Sequence, residues 1–78
     1  MPKFPSMKAR ELLQILLRKP LNYTIVRTNG SHRTLESKGR PRVRFAYHDN
    51  RELSGIEVRD VLTNKVGLND SQALEVIE

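Results

Sequence analysis

No cysteine occurs in this chain, which removes two of the usual supports of a small protein: a disulfide framework and a thiolate metal site. Histidine is nearly as scarce. His32 and His48 stand among scattered carboxylates without the spacing of a ligand cluster, so no structural metal and no cofactor are expected. No apolar run approaches the length of about eighteen residues that a membrane span needs, and Met1-Pro2-Lys3-Phe4-Pro5 lacks the apolar segment of a secretory signal. The expected setting is soluble, reducing and cytoplasmic. There is also no internal repeat, linker or low-complexity tract. The 78 residues are read as one domain, with room for one small core and only modest stability by itself.

What the chain has in excess is positive charge, unevenly placed. Residues 1–47 hold eleven Lys and Arg against two acids, Glu11 and Glu36, whereas residues 48–78 hold three against seven. A basic body with an acidic end suits a polyanionic partner, because each neutralised phosphate releases counterions.

Residues 1–5, with two prolines, read as an irregular lead-in. Ser6 is a candidate N-cap for a helix over about residues 7–19, whose apolar positions Ala9, Leu12, Leu13 and Leu16 recur at helical spacing and are widened by Ile15 and Leu17. Pro20 ends it, since proline supplies no ladder N–H. Tyr23 to Thr28 is β-branched and aromatic, Ser31 to Glu36 follows the hairpin signal Asn29-Gly30, and Arg42 to His48 alternates Val43, Phe45 and Tyr47 with Arg42, Arg44, Ala46 and His48. Three antiparallel strands result. A five-residue connection, Ser37 to Pro41, would set Glu36 opposite Arg42, Thr34 opposite Arg44 and His32 opposite Ala46. Beyond Asp49-Asn50, Ser54-Gly55-Ile56-Glu57 matches a capping box with Val58, Val61 and Leu62 as the buried stripe. Asn69 to Gln72 opens a short last helix with Ala73, Leu74 and Ile77 inward. The order α-β-β-β-α-α makes an α+β domain with helices on one face of the sheet and the other face partly open.

That open face is where chemistry is expected. Alternation places His32 there with Arg42, Arg44 and His48, two imidazoles and two guanidiniums that no packing requirement explains. Imidazole is the side chain whose unperturbed pKa lies near neutrality, and guanidinium holds its charge throughout. Gly30 allows close backbone approach to a phosphate, Ser31 offers a hydroxyl, and Arg33, Lys38 and Arg40 complete the cationic hairpin.

With these residues in place, the chain resembles the HicA toxins of bacterial type II toxin–antitoxin systems over roughly residues 7–78. The matching parts are Leu12-Leu13 and Leu16-Leu17 of the first helix, Val26-Arg27 followed by Gly30-Ser31-His32, the third strand ending in His48, Glu52-Leu53, the helix from Ser54 to Leu62, and Val66-Gly67-Leu68. It departs from the family pattern at Asn22, where glycine is common, at Ala46, where proline is frequent, and at Asp49, where glycine is usual. The resemblance implies a fold similar to the double-stranded RNA-binding domain. It also implies ribonuclease activity on mRNA, a HicB-type antitoxin as partner, and a catalytic role for His32.

The expected reaction uses no metal: His32 accepts the proton of a 2′-hydroxyl that attacks the adjacent phosphate, and Arg42 and Arg44 stabilise the charge building on phosphorus. Gly30, Ser31, Arg33, Lys38, Arg40 and His48 are expected to bind RNA. The competing class is a non-catalytic RNA-binding module. A DNA-binding regulator is disfavoured, because the charge lies on strands and no helix-turn-helix is evident.

Overall fold

The structure, a computed structural model, describes residues 3–78; residues 1 and 2 of the expected lead-in lie outside the described residues, and residues 3–6 have no regular structure. A two-residue strand, β1 (Met7–Lys8), leads into helix α1 (Ala9–Leu17). The cap expected at Ser6 moves to Lys8. The reason is long-range: the Ala9 N–H donates to the Arg51 carbonyl at 2.8 Å and the Arg10 N–H to that of Asp49 at 3.1 Å, so a distant loop satisfies donors that a local cap would otherwise take. Strand β5 (Glu52–Leu53) continues that loop and pairs antiparallel with β1, Met7 opposite Leu53. Two-residue strands have no periodicity, and neither was foreseeable from pattern.

Helix α1 buries Ala9, Leu12, Leu13, Ile15 and Leu16, while Leu17, expected to widen the apolar stripe, is 36 % exposed at its rim. The helix closes two residues before the expected end. The Arg18 N–H still reaches Gln14 O, and the chain turns so that the Tyr23 N–H donates back to Leu16 O. Asn22 takes φ +53°, a left-handed conformation that asparagine tolerates better than most residues.

Strands β2 (Thr24–Asn29), β3 (His32–Glu36) and β4 (Val43–Phe45) form one antiparallel sheet in that order. The hairpin loop is Gly30-Ser31, not Asn29-Gly30: Asn29 belongs to β2 and faces His32. Gly30 has φ +64°, the positive value that the first loop position of a type II′ turn demands. Thr34 stands opposite Arg44 and Leu35 opposite Val43, the register implied by the five-residue connection. Strand β4 stops at Phe45, three residues short of the expected His48.

Helix α2 (Gly55–Asp60) starts at the expected box: Ser54 Oγ accepts from the Glu57 N–H at 3.2 Å, and Glu57 Oε1 accepts from the Ser54 N–H at 3.1 Å. It runs on into a π-helical segment, Val61–Lys65. Here the Thr63 hydroxyl donates to the Arg59 carbonyl four residues back at 2.8 Å, a competition that loosens an α ladder. Helix α3 (Asp70–Ile77) is capped by Asn69, whose Oδ1 accepts from the Gln72 N–H at 2.8 Å. Its buried residues are Ala73 and Val76, whereas Leu74 and Ile77, expected inward, are only half-buried.

One core joins the elements. Leu12 and Leu16 of α1, Val58 of α2, Val61 and Leu62 of the π segment, and Ala73 of α3 pack with Leu35, Val43 and Phe45 from one face of the sheet, all buried. The helices therefore cover one face and leave the other uncovered. Among the described residues, no helix is long and apolar enough to cross a membrane.

Candidate nucleic-acid interface

The uncovered face is set by alternation in β3. Leu35 enters the core, so His32, Thr34 and Glu36 point away from it. On one side Arg44 of β4 lies opposite Thr34. On the other, β2 contains a bulge at Val26: Ile25 pairs with Leu35 but Arg27, not Val26, pairs with Thr34. The extra residue reverses the alternation and turns Arg27 onto the uncovered face. Arg27, Thr34 and Arg44 thus form one row across three strands. Asn29 and His32 form the next row toward the turn.

These rows line a shallow groove of about 220 Å³ holding Arg27, Asn29, His32, Thr34, Arg44 and Ala46, with Arg33 and Phe45 also at its wall. His32 is exposed, and among the described residues no group hydrogen-bonds to its ring. Arg27 and Arg44 are exposed and lack an acidic partner among the described residues. Arg42 stands further along the same face, where Glu36 pairs with it at 2.5 Å.

The other expected site residues are distributed differently. Arg33 follows His32 and borders the groove as well, but its guanidinium is turned to the other side, where Nη1 donates to Asp49 Oδ1 at 2.8 Å and the side chain is only 19 % exposed. That hydrogen bond is the main reason the Asp49 carboxyl is held below the usual carboxylate range. Gly30, Ser31 and His48 line a separate concavity of about 470 Å³ with Arg33, Tyr47, Asp49 and Asn50. His48 does not reach the His32 groove, because β4 ends at Phe45 and alternation no longer governs the residues after it. In its place the chain is held by Tyr47, edge-on to Phe45 with ring centroids 5.3 Å apart, and by Arg51, whose guanidinium lies 5.0 Å from the Tyr47 centroid.

Lys38 and Arg40 sit in the β3–β4 connection, at the end of the sheet away from His32, and line neither concavity. That connection is anchored by Ser37 Oγ donating to Leu21 O at 2.6 Å and by the Tyr23 hydroxyl donating to Pro41 O at 2.7 Å. Burial pushes the Tyr23 phenol up, opposed by the charge of Arg40.

The residue that sequence reasoning missed is Arg27. A period of two places it with Ile25 on the core side, and only the bulge puts it beside Thr34. Among the described residues, no three His, Asp or Glu side chains group as metal ligands. Chemically, the groove offers an unpaired imidazole next to two unneutralised guanidiniums, a set able to hold a phosphodiester and accept a proton beside it. No protein-family model matches the chain, and no curated protein and no solved structure matches it.

Proposed function

We propose that this protein is a metal-independent endoribonuclease of the HicA kind, with a fold of the double-stranded RNA-binding-domain type, that cleaves mRNA and is restrained by a HicB-type antitoxin. The observation that carries the reading is the placement of His32 next to the Arg27–Thr34–Arg44 row on the uncovered sheet face. His32 takes the proton of a ribose 2′-hydroxyl, whose oxygen attacks the adjacent phosphorus. The P–O5′ bond breaks, leaving a 2′,3′-cyclic phosphate on one fragment, while water protonates the departing 5′ oxygen. Arg27 and Arg44 bind the phosphate and stabilise the charge that grows on its oxygens. DNA lacks the attacking hydroxyl and survives. An acidic antitoxin suits the same face by charge, and it would stabilise a domain this small by binding only its folded form.

A second reading is a non-catalytic RNA-binding module. It is favoured by the His32 ring having no orienting hydrogen-bond partner among the described residues, a partner that activated bases commonly have. One experiment separates the two. RNA is incubated with purified protein in chelator, wild type beside His32→Ala. Shortened RNA from wild type, with cleavage slowed roughly 10²–10⁴-fold in the variant, supports the nuclease. Equal cleavage by both proteins removes His32 as the base. Intact RNA retained by both in a salt-sensitive manner supports the module.

A further inference from the structure

The His32 groove does not end at the sheet. It shares Arg27, Thr34 and Arg44 with a second concavity of about 250 Å³, which adds Val26, Glu36 and Arg42. That one shares Arg42 and Arg44 with a third, of about 420 Å³, lined also by Pro41, Asn64 and Lys65. Three adjoining hollows, each sharing lining side chains with the next, therefore trace one track. It begins at the imidazole, crosses the uncovered face, passes over the outer edge of β4 and finishes at the π-helical segment on the helical side. The first two hollows fall below the roughly 300–1,000 Å³ typical of sites that enclose a small molecule, and neighbouring hollows have arginine side chains in common as walls. An extended ligand suits this shape.

The lining settles what kind. Five cations line the track, Arg27, Arg33, Arg42, Arg44 and Lys65, of which Arg33 is paired with Asp49, and among the described residues Glu36 is the sole acid lining it. Lys65 is exposed and has no acidic partner among the described residues. Asn64 beside it is fixed by its own amide, which donates to Asp60 Oδ1 at 2.6 Å and leaves the side-chain oxygen as an acceptor. The π turn creates this end of the track, since its extra residue per turn changes the direction in which Asn64 and Lys65 project. Among the described residues the sole aromatic lining the track is Phe45, which is buried, so backbone charge and not base stacking supplies the attraction. A path that rounds a sheet edge also needs a ligand that bends within a few phosphates, which a single strand does and an A-form duplex does not.

We infer that single-stranded RNA leaves the His32 groove over the β4 edge and is clamped a second time by Lys65 and Asn64. This rests on the ribonuclease reading for the identity of the ligand, and it assigns the binding role to residues outside the hairpin. Lys65 touches a phosphate several nucleotides from the cleaved bond, so it governs affinity for long substrates and leaves the chemical step alone.

The test measures binding in the His32→Ala background, so that turnover does not interfere. Fluorescence anisotropy compares a single-stranded RNA of about twelve nucleotides with one of about three, against Lys65→Gln and Lys65→Glu. Circular dichroism confirms that these exposed substitutions leave the fold intact. The twelve-mer is expected to bind roughly tenfold more weakly to Lys65→Glu, and the slope of its salt dependence should fall by about 0.7 in Lys65→Gln, one phosphate contact's worth for a single strand. The three-mer should bind all proteins within about twofold, since it fills only the histidine end. Unchanged twelve-mer affinity and slope would overturn the second clamp while leaving the ribonuclease reading in place. Equal losses for both lengths would overturn it too, because Lys65 would then act as diffuse charge. If neither RNA binds the parent protein, the ribonuclease reading falls and the clamp falls with it. Displacement of the twelve-mer by polyglutamate at equal charge would assign the track to acidic protein instead.

Discussion

The two faces of the three-stranded sheet are made by neighbouring residues of the same strands, yet they divide the work of the molecule between them. On one face Leu35, Val43 and Phe45 are each 1 % exposed or less and hold the helices in place. On the other, Thr34 and Arg44, one position away in each strand, join His32 and Arg27 around an uncovered groove. Stability and the proposed chemistry are therefore separable by single substitutions, because successive side chains of a regular strand do not share a face. A third environment, the corner around Asp49, shows what the groove avoids. There Arg33 is already neutralised by a carboxylate, whereas Arg27 and Arg44 keep their charge for a ligand.

The sharpest test of this division is Leu35→Ala, which should cost about 2–5 kcal/mol as a fully buried leucine is deleted. A domain of this length has a total stability of only about 4–12 kcal/mol, so the urea midpoint should collapse toward zero. RNA cleavage per folded molecule should survive in the cold. A midpoint that hardly moves would deny that this face is the core. The mirror-image experiment is His32→Ala, which should reduce cleavage by roughly 10²–10⁴-fold and leave the stability within about 0.5 kcal/mol. Loss of both properties together would break the comparison.

Arg44→Ala and Arg33→Ala sharpen it further. Arg44 faces the groove and its removal should slow cleavage roughly tenfold to a hundredfold, while Arg33 faces Asp49 and its removal should change the rate less than about threefold. Equal effects on RNA turnover would mean that total charge, not facing, decides. The smallest effect is expected from Asp49→Asn. Arg33 lowers the folded-state pKa of this carboxyl below its ordinary value, so its contribution to stability is present above that ordinary value and lost as pH falls through the depressed one. The variant should therefore melt slightly below wild type at neutral pH and together with it in strong acid. Thermal melts across the acid range give the comparison.

Much of this arrangement was legible in the residues because the relevant signals are local. The alternation of Val43 and Phe45 with Arg44, the five-residue connection that aligns Thr34 with Arg44, and the reciprocal caps at Ser54 and Asn69 all act within a few positions. What escaped is what distant parts of the chain decide. Helix α1 begins at Ala9 because carbonyls of Asp49 and Arg51 receive its first donors. His48 leaves the sheet because β4 ends at Phe45 and Tyr47 packs against that ring. Arg27 reaches the groove because one residue of β2 is unpaired, and no composition or period marks Val26 as that residue. The candidate site was thus half readable: the central strand β3 and the regular edge strand β4 supplied His32 and Arg44, and the bulged edge strand β2 hid their partner.

That irregularity has a second effect, on how copies of the protein behave in a crowded solution. Strand β2 is the long outer edge of the sheet, exposed at every position, with Ile25 and Val26 side by side and both apolar. Such an edge is an open template on which another strand could add, and growth of that kind ends in aggregates. The displaced residue interrupts the even row of free N–H and C=O groups, and the cation beside it repels an identical neighbour. The same kink that turns a guanidinium onto the uncovered face keeps the sheet from recruiting more of itself.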